Sequence, residues 1–198
     1  MPTPITSFSD LDLNKSYTVA DYLNWKFDEL VELIKGKFVK MSPSPRSVHQ
    51  AIRANISFEI KKVSLIRKSK VFNAPFDVYL FGDSDKYNTV VEPDICIICD
   101  RTKIKDNGCV GAPDLIVEIL SQPTMKKDLN HKFNLYQEAK VKEYWVVYPP
   151  ENQVSVYVLE NQLYIHKGDF LKNNLIPIHI WPNETISCEA IFDDVDFN

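Results

Sequence analysis

One run of residues limits the architecture more than any other: Pro113-Asp114-Leu115-Ile116-Val117-Glu118-Ile119-Leu120. It is nearly all apolar and lacks the alternation of a half-wet strand, so it predicts a strand covered on both faces. Glu143-Tyr144-Trp145-Val146-Val147-Tyr148 reads as another buried strand, closed by Pro149-Pro150. Between the two lies a helical stretch that Thr124 can cap and that runs to about Ala139. A helix joining two buried strands is the crossover of a parallel pair, which places the chain in the α/β class.

Upstream, Ile52, Ile56, Ile60 and Val63 recur at spacings of four, four and three, predicting a helix over 48–68. At about 100° per residue, His49 and Glu59 fall near Ile52 on the same inward stripe. Before it, Val31 to Met41 predicts a hairpin with Gly36 at the turn. Tyr22, Trp25, Leu30 and Leu33 suit a short helix or two, and Ser42 to Arg46 breaks regular structure. Three extended runs follow the long helix, at 71–80, 89–100 and 113–120. Pro93 cannot donate a ladder hydrogen bond, so it implies an edge or bulge in the second. Past residue 150 the pattern predicts antiparallel strands and an acidic tail. The expected organisation is one domain over 1–198: a helix and hairpin elaboration (1–45), a core (46–150) and a β extension (151–198).

At 44% hydrophobic residues the 198-residue chain is not disordered in bulk. No apolar run approaches the roughly 18 residues of a membrane span, and no secretory signal is visible. The expectation is a cytoplasmic protein with no membrane partner. Cys96 and Cys99 form a C-x-x-C, but three residues apart on a strand they point to opposite faces. They read as small buried hydrophobes rather than as metal ligands. The net charge of −4 conceals a polarity: residues 40–72 carry eight basic residues against Glu59 alone, and residues 151–198 carry two lysines against eight acids. Arg46, Arg53, Lys61 and Lys62 are candidate contacts for a polyanion.

Asp94 follows Pro93 at a strand irregularity, and Glu118 interrupts a hydrophobic strand. A buried carboxylate is expensive unless neutralised, hydrogen-bonded or bound to a cation. Acids on consecutive strands can approach closely, and a hard ion such as Mg²⁺ resolves their repulsion. On the following helix Asp128, Lys132 and Tyr136 share a face. Lys132 can point at the two acids and stabilise developing charge, or form a surface ion pair with Asp128.

These blocks resemble a known family. Pro93-Asp94, then Gly111 to Ser121, then the Asp128, Lys132 and Tyr136 spacing before Val141 to Pro149 is similar to a widespread bacterial family of predicted restriction endonucleases, formerly a domain of unknown function. The opening hairpin with His49, and Ala74 to Leu80, match that family's first blocks. The resemblance covers roughly residues 17–195. It implies the PD-(D/E)xK nuclease-like superfamily and a restriction-endonuclease-like core: helix, three-strand meander, helix and strand in a mixed sheet, with an N-terminal hairpin and a C-terminal antiparallel β extension.

The resemblance also implies roles. Asp94 and Glu118 would bind Mg²⁺ or Mn²⁺, with the Ile119 carbonyl as a further ligand. Leu120 stands where the signature has its lysine, and Lys132 is the natural substitute. His49, Glu59, Asp77, Glu32, Tyr136 and Asp128 are auxiliary candidates. Lys35 and Lys37 flank Gly36 where members usually carry acids, which either weakens activity or suits phosphate contact. The expected function is metal-dependent hydrolysis of DNA by a homodimer. The alternative is an inactive nuclease-fold module that binds nucleic acid or protein.

Overall fold

The structure is a computed structural model that describes residues 5–41, 47–82, 88–120 and 125–195, without the side chains of 125–129. The chain opens with α1 (Val19–Leu23), the hairpin β1 (Val31–Ile34) and β2 (Lys37–Lys40), and the long helix α2 (Ser47–Ile66). Next come β3 (Lys70–Asn73), β4 (Val78–Tyr79), β5 (Val90–Val91), β6 (Ile95–Ile98), β7 (Ile104–Lys105), β8 (Gly108–Val110) and β9 (Leu115–Ile119). Helix α3 (Met125–Glu138) leads to β10 (Glu143–Tyr148), β11 (Gln153–Glu160) and β12 (Leu163–Phe170). The ribbon β13 (Leu175–Pro177) and β14 (Thr185–Ser187) precedes α4 (Cys188–Phe192).

The central sheet has the order β12-β11-β10-β9-β6-β3. Only β9 and β10 pair in parallel there, joined through α3, as the two buried runs require. Strands β3, β6 and β9 form the antiparallel meander. This is the mixed sheet of a restriction-endonuclease-like core, and β11 and β12 extend the same sheet.

Both faces of this sheet are dry at its centre, over β6, β9 and β10. On one, Ile95, Ile97, Leu115, Val117, Trp145 and Val147 pack against Ile52, Ile56 and Ile60 of α2. On the other, Cys96, Ile98, Ile116, Tyr144 and Val146 pack against Leu135 and Tyr136 of α3 and against Val78, Leu80 and Val91. Burying an Ile side chain fully stabilises by about 1.5–3 kcal/mol, so the α2 stripe alone holds that helix in place. Glu143 is fully buried in β10, where it accepts the Trp145 indole N–H at 2.7 Å and the Ile180 amide at 2.8 Å. It thereby ties the C-terminal segment to the sheet.

A second sheet, β2-β1-β5-β4-β8-β7, was not foreseen. The runs 71–80 and 89–100 each read as one strand, yet both divide: β3 and β6 belong to the central sheet, β4 and β5 to the second. Prolines mark both breaks, Pro75 after a cis peptide bond and Pro93 in Glu92-Pro93-Asp94. A residue without an N–H interrupts the ladder, and the chain changes sheets there. Tyr17 to Leu33 yields one helical turn, α1, held by a Thr18–Asp21 capping box; Leu33 is instead buried in β1. Lys35 and Gly36 both take positive φ, 49° and 79°, as a two-residue type I′ hairpin demands. Cys96 is buried as expected, but Cys99, just past the end of β6, is exposed; all four cysteines are free. The capping residue Thr124 and the segment 42–46 lie outside the described residues. No described helix is long and apolar enough to cross a membrane.

Candidate active site

Ile95 of β6 lies opposite Val117 of β9. Continuing that antiparallel register by one residue sets Asp94 opposite Glu118. Directly opposed residues hold their Cβ atoms roughly 4.5–5.5 Å apart, so two acids remote in sequence become neighbours. Asp94 is fixed from two directions. Its Oδ2 accepts the Ile119 amide at 2.8 Å, and Nε2 of His49, in the first turn of α2, lies 3.2 Å from it. His49 is buried, and its Nδ1 has no hydrogen-bond partner among the described residues.

Glu118 points to the α3 side, the even-numbered face of β9. The Tyr136 hydroxyl donates to its Oε1 at 2.6 Å and the Lys132 ammonium at 3.0 Å. Lys132 also donates to Glu32 Oε1 of β1 at 2.9 Å, and that oxygen takes the Glu92 amide at 3.1 Å. The spacing of 132 and 136, one helical turn, delivers both donors to one carboxylate. Burial, Asp94 and Glu32 push the Glu118 carboxyl up to about 7, although Lys132 and Tyr136 oppose the shift. The two carboxylates raise the Lys132 pKa in turn, against burial, so the ammonium stays charged. The side chains of Lys132, Asp94 and Glu118 keep 19%, 17% and 12% of their surface exposed.

The family model described as "Putative restriction endonuclease", Uma2, matches residues 19–184. The chain belongs to the Uma2 family. Among solved structures it is similar to a putative nuclease belonging to DUF820 from Anabaena variabilis, at 24% identity and a TM-score of 0.67, covering 88% of this chain and 97% of that one. That likeness shows the fold. No curated protein matches the chain.

Within this Uma2 chain, the structure brings Asp94, Glu118, Lys132, Tyr136, Glu32 and His49 together. Ile119 contributes its amide to Asp94. Asp77 accepts the hydroxyls of Tyr22 at 3.0 Å and Tyr79 at 3.4 Å. Glu59 does not join the group. It pairs with Lys62 at 2.7 Å, ten residues and about 15 Å of helix beyond His49. Lys61 and Lys62 are exposed, whereas Arg53 donates to the Ala74 carbonyl and to Gln50. Arg46 and the Asp128 side chain lie outside the described residues.

Lys35 pairs with Glu138 at the end of α3, and Lys37 donates to the carbonyls of Leu13, Asn14 and Lys15. Both are structural ties. The residue the sequence reading missed is Glu92, buried two positions before Asp94, its carboxyl raised to about 7 by burial, Asp77 and Glu32. A second acid beside the same proline was the available signal.

A divalent cation fits the donors at Asp94 and Glu118, which offer oxygen only and partial solvent access. Among the described residues no three His, Cys, Asp or Glu side chains form a ready cage. An ion held there would complete its shell with water, as Mg²⁺ commonly does.

Proposed function

We propose that this protein is a divalent-cation-dependent nuclease that hydrolyses DNA phosphodiester bonds. The observation supporting this reading is the Asp94–Glu118 cross-strand pair with the Lys132 ammonium 3.0 Å from Glu118. Asp94, Glu118 and the Ile119 carbonyl would hold Mg²⁺ or Mn²⁺. Such an ion, when bound, supplies Lewis acidity toward a phosphoryl oxygen and toward a water.

The chain's own residues would do the rest. His49 and the Ile119 amide orient Asp94, and Tyr136 orients Glu118. Lys132, still charged and partly exposed, would offset the charge that builds on the phosphate oxygens in the transition state. Glu32 sets the direction of that ammonium. Lys61 and Lys62 on α2 would meet the phosphate backbone without reading sequence, with Arg53 and Arg46 flanking them. A homodimer is part of this reading: β12 is a sheet edge with Leu163 and Ile165 exposed, and sedimentation velocity would detect the pairing.

Purified protein should nick plasmid DNA with Mg²⁺ or Mn²⁺, and lose that activity in EDTA, in Asp94→Asn and in Glu118→Gln. Cleavage undiminished by both substitutions would overturn the assignment. A catalytically idle nuclease-fold module is the second reading, favoured by Leu120 standing where the signature has its lysine and by Lys35 and Lys37 flanking Gly36. It calls for DNA or protein binding with no cleavage under any divalent ion.

A further inference from the structure

The Glu92-Pro93-Asp94 crossover divides its acids between two sheets. Asp94 enters the central sheet opposite Glu118, while Glu92 stays with the second sheet. There Val78 of β4 lies opposite Val91 of β5. Extending this register by one residue sets Asp77 opposite Glu92, at the separation of a cross-strand pair. The crossover therefore builds two pairs of facing acids.

The second pair has no charged donor of its own. Glu92 is 6% exposed, and its Oε2 has no hydrogen-bond partner among the described residues. An oxygen left desolvated and unpaired in this way is destabilising until something supplies a partner. Lys132, the cation nearest by, has its ammonium committed to Glu32 and Glu118. Asp77 is oriented by the Tyr22 and Tyr79 hydroxyls, and Asn107 Nδ2 in turn donates to the Tyr79 oxygen at 3.1 Å. A cleft of about 250 Å³ lined by Pro75, Phe76, Asp77, Asp106, Asn107 and Gly108 opens onto Asp77. Oxygen donors, an orphaned buried carboxylate oxygen and a solvent route are what a hard cation needs.

We infer that Asp77 and Glu92 form a second divalent-cation site, distinct from the Asp94–Glu118 pair, that takes Mg²⁺, Mn²⁺ or Ca²⁺. Its role rests on the nuclease reading. Glu32, Asp77, Glu92, Asp94 and Glu118 together repel a phosphate backbone, and an ion at the second site lowers that barrier to DNA binding. The site itself stands without that reading.

The test is equilibrium dialysis of the full chain against Mn²⁺ alone, with native circular dichroism checked for each variant. Wild type should bind two equivalents, and Asp77→Asn and Glu92→Gln, made separately so that one reports if the other fails to fold, should each bind one. Asp94→Asn should also bind one, and Asp77→Asn/Asp94→Asn none. One equivalent in wild type that neither Asp77→Asn nor Glu92→Gln removes, or two equivalents that survive both, overturns the site. If Asp94→Asn instead loses nothing while Asp77→Asn loses one, the second site stands and the metal assignment at Asp94 falls.

Discussion

Glu32 Oε1 accepts the Lys132 ammonium at 2.9 Å and the Glu92 amide at 3.1 Å. One carboxylate oxygen of the N-terminal hairpin thus anchors the α3 lysine and the strand that ends at Pro93. Because Glu32 is buried, its loss leaves both donors short of a partner. Glu32→Ala should cost about 2–4 kcal/mol in urea unfolding. Glu32→Gln keeps an acceptor oxygen and should recover much of that, yet still lower kcat more than KM in DNA cleavage, because the ammonium loses its second anchor.

Lys132 separates charge from bulk. Lys132→Met should reduce cleavage by about 100-fold or more while DNA binding in EDTA changes by less than about threefold. Lys132→Arg retains charge but not the reach of a point ammonium, and should restore only part of the rate. Rates for the Met variant within a few-fold of wild type would remove Lys132 from the chemistry.

Glu143 gives a pH dependence remote from the candidate site. Burial raises its carboxyl from 4.5 to about 7, against the Trp145 and Ile180 hydrogen bonds that favour the ionised form. A carboxyl with a raised folded pKa favours the folded state in its protonated form. Its contribution is complete below about pH 4.5 and is lost as pH rises through about 7. The shift corresponds to about 3 kcal/mol at most. Glu143→Met should therefore flatten the fall in unfolding free energy between pH 5 and pH 8, whatever it does to the absolute value. An unchanged slope would show that Glu143 titrates normally.

Gly108 underlies Asp77. Its φ is +139°, and a Cβ there would lie 2.3 Å from the Asp77 carbonyl oxygen, the acceptor of the Cys109 amide. Gly108→Ala must therefore displace the β4–β8 pairing. We expect a loss of about 2–4 kcal/mol by denaturant unfolding, with Mn²⁺ binding at Asp77 weakened in the same variant.

Local patterning was enough for much of the core. The unbroken apolar run around Leu115–Ile119 requires cover on both faces, and α2 and α3 supply it. The four-four-three spacing of Ile52, Ile56, Ile60 and Val63 identified α2, and the one-turn spacing of Lys132 and Tyr136 put both on one helix face. Asp94 and Glu118 stood out because charge in such segments is costly. These properties are legible because they depend on period and composition within a few residues.

Strand partners are not local. That 71–80 and 89–100 each serve two sheets follows from what packs beyond Pro75 and Pro93; the prolines mark where a ladder must break but not where the chain goes next. Register decided that Asp94 faces Glu118 while Glu92 faces Asp77. Tertiary pairing likewise sent Lys35 to Glu138 and Lys37 to backbone carbonyls, whereas Glu59 met a local partner, Lys62, one helical turn on. The sequence by itself determined which charges had to find a partner in a dry interior. The folded chain decided which partner each one met, because a hydrogen bond or ion pair is set by distances of about 3 Å between groups that can lie a hundred residues or more apart.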